Sequence, residues 1–173
     1  MQTPAFIDVE ASGLGGRSYP IEVGLITPAG DMYCALVQPD PAWTHWDEAA
    51  EAVHHISRPI LLLHGKPLIE VARRVNDLLR GQTVYSDAWG NDYAWLAKLF
   101  DVAELPMLFK LESSRKLLDD TQAGRWAGVK EEVVAELKMA RHRASADAKV
   151  LQLTLVRVWG AGVGVSRIDA TPG

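Results

Sequence analysis

Asp8 and Glu10 stand two residues apart in Phe6-Ile7-Asp8-Val9-Glu10-Ala11-Ser12-Gly13-Leu14. A β-strand alternates its side chains, so both carboxylates emerge on one face, ~6–7 Å apart along the strand. Two such groups with nothing basic beside them repel each other, and burying them is costly unless a divalent cation sits between them. Far along the chain, His142-Arg143-Ala144-Ser145-Ala146-Asp147 adds a histidine and a third carboxylate, and Asp92 adds a fourth. Carboxylate oxygens from separated segments suit Mg²⁺ or Mn²⁺. Two such ions ~3.5–4 Å apart stabilise the attacking and leaving oxygens of a phosphodiester under hydrolysis. His142, with a side chain that titrates near neutrality, suits the base that takes a proton from the attacking water. The chemistry these residues point to is that of a two-metal phosphodiesterase.

Elements with the right periodicity lie under these residues. Residues 4–10, Tyr19 to Thr27 and Met32 to Gln38 read as three strands joined by short turns, an antiparallel meander. Beyond Pro39-Asp40-Pro41 the apolar period changes to 3.6. Asp47 to Ile56 reads as a short helix. Pro67 suits a first helical turn, ahead of an apolar stripe of Leu68, Val71, Val75, Leu78 and Leu79 closed by Gly81. Thr83-Val84-Tyr85 is a fourth strand, Asp92 opens a helix to Phe100, and Leu105 to Leu111 is a fifth strand. Helices are predicted over Ser114–Thr121, Val129–Met139 and Ala144 to about Trp159. A hairpin followed by alternating helix and strand is an α/β domain with a mixed sheet. The first strand lies at its centre, with Ile7 and Val9 on the opposite face under helices. Asp147 falls in the first turn of the last helix, where the helix dipole favours a carboxylate.

Composition narrows the classes. The 173 residues suit one domain, residues 1–173, with 48% hydrophobic and 23% charged residues. No apolar run approaches the ~20 residues of a membrane span, and residues 1–4 do not resemble a signal peptide. The single cysteine, Cys34, excludes an internal disulfide and reads as a small buried hydrophobe. Together these point to a reducing cytoplasm and no membrane partner. A net charge of −4 argues against coating long nucleic acid with a basic surface. It leaves room for an enzyme that grips only a strand end.

Taken in order, the motifs resemble the DEDD superfamily of 3′–5′ exonucleases in its histidine-bearing branch. That group includes the proofreading subunit of DNA polymerase III, ribonuclease T and oligoribonuclease. Residues 6–14 resemble the first motif, Asp-x-Glu-x-Thr/Ser-Gly-Leu, and Ile21-Glu22-Val23-Gly24-Leu25-Ile26 resembles the second strand. Asp92-Tyr93-Ala94-Trp95-Leu96 resembles the second motif, and residues 142–147 the third, His-x-Ala-x-x-Asp. The resemblance implies a ribonuclease H-like fold with a five-stranded mixed sheet flanked by helices. It implies that Asp8, Glu10 and Asp147 hold one metal, that Asp8 bridges to a second near Asp92, and that His142 is the base. It further implies that Ser12, Gly13 and Leu14 meet the terminal nucleotide, with Leu14 as a wedge against the last base. The partner is then the 3′ end of single-stranded nucleic acid, shortened by release of 5′-mononucleotides, and a homodimer fits by resemblance only. One departure stands out. Where the family commonly has His-Asn, this chain reads Asp87-Ala88, so Asp87 competes with Asp92 for the metal role; the residues that follow favour Asp92. Two rival readings remain: a nuclease-like binding module that no longer cuts, and a two-metal phosphohydrolase of free nucleotides.

Other signals have blander readings. His54-His55 reads as two exposed histidines, or one packed and one wet; His45 and His64 fall in loops. Trp95 and Trp159 occupy core-like positions, whereas Trp43, Trp46 and Trp89 serve equally as base-stacking platforms or rim residues. Arg141 and Arg143 flank His142 and read as phosphate-steering residues. Arg73-Arg74 and Arg115-Lys116 read as solvated helix faces, and Gly13, Gly15 and Gly16, lacking the lysine of a P-loop, as a flexible rim.

Overall fold

The computed structural model describes residues 3–137 and 143–160. The predicted hairpin forms: β1 (Ala5–Ala11), β2 (Pro20–Ile26) and β3 (Met32–Leu36) pair antiparallel in sequence. β4 (Thr83–Ser86) then joins β1 in parallel, and β5 (Lys110–Ser113) joins β4, giving a mixed sheet of order β3-β2-β1-β4-β5. β1 is central, as expected for the strand that carries Asp8 and Glu10.

Six α-helices surround the sheet among the described residues: α1 (Glu48–His54), α2 (Arg58–His64), α3 (Leu68–Leu79), α4 (Trp89–Val102), α5 (Asp120–Leu137) and α6 (Ala144–Gly160). The alternation along β1 decides what each face receives. Ala5, Ile7 and Val9 pack with Val71, Val75 and Leu79 of α3 and with Leu96, Leu99 and Phe100 of α4 in the main core. Phe6, on the face shared by Asp8 and Glu10, packs with Ala148, Leu151 and Leu155 of α6. α5 lies on the outer side of α6, joined through Val129, Val133, Val150 and Val158. Gly24 brings the last helix close. A Cβ there would fall 2.0 Å from the Ser145 nitrogen and 2.1 Å from the Ala144 carbonyl carbon, so the start of α6 rests directly on β2.

Several boundaries differ from the sequence reading. The fifth strand is not Leu105 to Leu111; it begins at Lys110. Glu104 closes α4 at a φ of 52°, Pro106 has no N–H to give a ladder, and Asn76 of α3 holds 106–108 by bonding the Pro106 carbonyl and the Leu108 N–H. The helix placed over Ser114–Thr121 is a single 3₁₀ turn, Ser114–Leu117. A reciprocal cap, Gln122 N–H to Asp119 Oδ1 and Asp119 N–H to Gln122 Oε1, starts α5 there instead. That helix runs through Gly124 and Gly128 and includes the predicted Val129 helix up to Leu137; Met139 lies outside the described residues. α4 starts at Trp89, three residues ahead of Asp92. Pro67 is the cap of α3 and not a residue of its first turn. The short α2 was not foreseen, because Ile60-Leu61-Leu62-Leu63 has no amphipathic period; it places His64 in a helix and buries Leu61 alone. Cys34 lies exposed on β3, the sheet-edge strand, and is not a buried hydrophobe.

Candidate functional site

Asp8 and Glu10 point from β1 toward the N-terminal turn of α6, where Asp147 lies. One oxygen from each of the three carboxylates lies within 4.8 Å of the others. Asp92, in the first turn of α4, comes in from the end of β4. It is almost wholly buried, its Oδ2 accepts the Ser86 hydroxyl proton, and its Oδ1 is buried with no hydrogen-bond partner. Asp8, Glu10, Asp92 and Asp147 share one cleft of about 290 Å³ with Asp87 and Lys130. His142 and Arg141 lie outside the described residues.

The electrostatics show what this crowding costs. Burial holds the Asp8 carboxyl well above the usual carboxylate range, and the charges of Asp92, Glu10, Asp147 and Asp87 raise it further. Glu10 is pushed up to about 7, first by burial and then by Asp147 and Glu22, with Arg143 opposing. Asp92 also rises to about 7 through burial; the Ser86 hydrogen bond pulls it down and Asp87 pushes it up. Such groups cannot all ionise without a compensating cation. The donor set is all oxygen, three carboxylates converge, and a buried Asp92 oxygen lacks a partner. These features fit a hard divalent ion such as Mg²⁺ or Mn²⁺.

A second cavity of about 340 Å³ opens beside Glu10, lined by Leu14, Val53, His54 and Trp95 among others. Leu14 projects on its rim, 72% exposed. Gly13 has a φ of 149°, and a Cβ there would fall 2.7 Å from His45 Cε1 and 2.8 Å from Asp47 Cβ, so the turn after β1 requires glycine. Ser12 is wholly buried. Its hydroxyl accepts from the Tyr19 N–H at 3.2 Å and its backbone bonds Tyr19 and Asp47, so the side chain braces the turn.

Three further residues shape the site, and the sequence reading gave none of them this place. Glu22 is completely buried on β2, opposite Glu10. It accepts from Arg143 Nε at 2.9 and 3.2 Å, from Arg143 Nη2 at 2.6 Å and from the Ala144 N–H at 2.8 Å. It thereby caps α6 and fixes the residue that follows His142. Arg143 thus anchors the helix start through Glu22, a place that the sequence reading did not give it. The available signal was a lone carboxylate inside an otherwise apolar strand. His54 is the packed member of its pair and His55 the wet one, in a left-handed conformation with a φ of 57°. His54 Nδ1 accepts from the Ile56 N–H at 3.1 Å, while its buried Nε2 has no hydrogen-bond partner. Burial holds its pKa below the ordinary histidine value. Lys130, unremarked on an exposed helix face, reaches Asp87 Oδ2 at 2.5 Å. Trp43 stacks on Tyr19, Trp159 packs with Phe6 and Leu155, and Trp95 lies against the main core and donates to Ser18 Oγ at 2.8 Å.

The mixed sheet with α6 and α5 on one face and α3 and α4 on the other, and an acidic cleft at the ends of β1 and β4, is the α/β ribonuclease H-like fold of exonucleases. Exonuclease I of Escherichia coli in complex with a dA16 oligonucleotide superposes with a TM-score of 0.69 at 15% identity, over 93% of this chain and 43% of that one. The zinc-ion-bound form of the E. coli exonuclease I–ssDNA complex gives 0.68 at 15% identity, over 93% and 42%. Exonuclease I of Methylocaldum szegediense, described as moderately thermophilic, gives 0.66 at 15% identity, over 88% and 40%. The chain thus spans less than half the length of these proteins. No family model matches it. No curated protein sequence matches it. What the comparisons show is the fold.

Proposed function

We propose that this protein is a metal-dependent 3′–5′ exonuclease acting on single-stranded ends or short oligonucleotides and releasing 5′-mononucleotides. The observation that carries the reading is the convergence of Asp8, Glu10 and Asp147 within 4.8 Å, on a fold shared with exonuclease I. Asp8, Glu10 and Asp147 would hold one divalent ion, and Asp8 with Asp92 a second. Bound Mg²⁺ or Mn²⁺ supplies charge stabilisation at the attacking and leaving oxygens of the phosphodiester.

The chain's own residues do the rest. His142 takes the proton of the attacking water, in keeping with its place five residues before Asp147. The cavity beside Glu10 receives the terminal nucleoside, with Val53 and Trp95 as apolar walls. Gly13 lets the backbone approach that nucleoside, Ser12 braces the turn from within, and Leu14 wedges against the last base. A cavity of about 340 Å³ next to the carboxylates suits one terminal nucleoside and favours removal of one unit at a time. The energetic cost of the acidic cluster argues against a module that only binds, because binding gains nothing from it.

End-labelled oligonucleotides test the reading. With Mn²⁺ or Mg²⁺, 5′-labelled single strands of DNA and RNA should shorten stepwise, 3′-labelled ones should release labelled mononucleotide at once, and Asp147→Ala and His142→Ala should abolish both. Intact strands, from folded protein, would move the reading to the binding module. Hydrolysis of free nucleotides alone would move it to the phosphohydrolase.

A further inference from the structure

Among the described residues, the cleft that holds the carboxylates is lined by one cation, Lys130 of α5. Its ammonium lies 2.5 Å from Asp87 Oδ2, and both side chains remain partly open to solvent, 36% and 28% exposed. Asp87 is close enough to the acidic centre to raise both Asp8 and Asp92. A phosphodiester entering this cleft passes five carboxylates, and a protein cation beside them favours its approach. Arg143 is committed to buried Glu22 and lies outside that lining. Lys130 is that cation among the described lining residues. An ammonium has three N–H donors; one goes to Asp87, and two remain for phosphate oxygens.

We propose that Lys130, tethered by Asp87, is the residue that grips a backbone phosphate of the incoming strand. The inference rests on the nuclease reading and deepens it. Asp87 holds the ammonium at the cleft, with part of its donor capacity left over. A merely structural pair, tying α5 to the start of α4, predicts a different pattern, because its two members would then be equivalent.

The test compares Lys130→Met, Lys130→Arg and Asp87→Asn in steady-state cleavage of a labelled single strand, with thermal melting of each protein alongside. Lys130→Met should raise KM roughly tenfold or more, the loss of one charge-assisted contact, with little change in kcat. The slope of log affinity against log salt should become shallower by about 0.7, one phosphate contact on a single strand. Lys130→Arg should keep most of the affinity, and Asp87→Asn, which frees the ammonium, should leave KM unchanged or lower it, whatever it does to kcat. Equal KM effects from Lys130→Met and Asp87→Asn, or an unchanged KM and salt slope in Lys130→Met, overturn the proposal while the nuclease reading stands. A wild-type protein that neither binds nor shortens any oligonucleotide overturns both.

Discussion

Replacing Arg143 should destabilise this protein more than replacing the residue it binds, and removing both should be better than removing Arg143 alone. Glu22 is completely buried and takes four hydrogen bonds, three from the guanidinium and one from the Ala144 N–H. Arg143→Met leaves that carboxylate buried beside Glu10 with the Ala144 N–H and the weak Cys34 thiol as donors. Losing one partner of a buried pair costs ~3–5 kcal/mol, and the lower end applies because the Arg143 side chain is 48% exposed. Glu22→Gln leaves no stranded charge: Arg143 turns to water and the amide oxygen still accepts from Ala144. Its cost is the charge-assisted part of the bonds, ~1–2 kcal/mol. In the double variant no charge is left at position 22, so Glu22→Gln should restore roughly 1 kcal/mol or more to Arg143→Met. The assay is urea unfolding at pH 8 with a chelator present, reading the midpoint at constant slope. The matching thermal shift for Arg143→Met is about 6–12 °C in a chain of this size. Additive losses in the double variant, or a larger loss from Glu22→Gln than from Arg143→Met, would refute the reasoning that a buried, guanidinium-held carboxylate anchors α6.

The remaining predictions concern the acidic centre and its supports. Glu10 and Asp92 have folded-state pKa values of about 7, above their unfolded values. The folded state therefore binds more protons, and the stability these groups contribute is full below about pH 4 and lost as pH rises through 7. For Glu10 alone the swing is ~3 kcal/mol before solvent screening reduces it. Metal-free protein should therefore melt lower at pH 8 than at pH 5.5, and excess Mn²⁺ should restore more at pH 8; a melting temperature that rises across this range without metal would contradict the charge assignment. Gly24→Ala places a methyl group 2.0 Å from the Ser145 nitrogen, so α6 must move. It should cost ~3 kcal/mol or more and remove the Mn²⁺-induced rise in melting temperature, both read in one thermal scan. Leu14→Ala sits on an exposed rim and should leave the melting temperature unchanged, while raising KM for a single-stranded oligonucleotide several-fold.

Sequence pattern resolves the scaffold well where burial repeats with a regular period. The apolar runs of β1, β2 and β3 and the 3.6-residue stripe of α3 mark elements whose partners are nearby in the chain. The acidic pair on β1 follows from strand alternation alone, and its meeting with Asp147 follows once α6 must cover Phe6. Where non-local contacts decide, the pattern is silent. Asn76 holds residues 106–108 out of the fifth strand from thirty residues away, and the Asp119–Gln122 cap starts α5 nine residues ahead of Val129, leaving a separate 3₁₀ turn before it. Glu22 and Arg143 lie 121 residues apart, so nothing local identifies the guanidinium as an anchor in place of a phosphate contact. Asp87 and Lys130 are separated by 43 residues and meet only because α5 folds back across the open end of the cleft.

On the proposed reading, the carboxylates at the end of β1 form a divalent-metal centre. A crystal grown with Mn²⁺ and measured at a wavelength where manganese scatters anomalously tests it at the atoms themselves. An anomalous peak should appear within coordinating distance of Asp8, Glu10 and Asp147 and be absent in Asp147→Asn, with a second peak toward Asp92. A fully occupied Mn²⁺ elsewhere on the surface, with no peak among these three carboxylates, would contradict it.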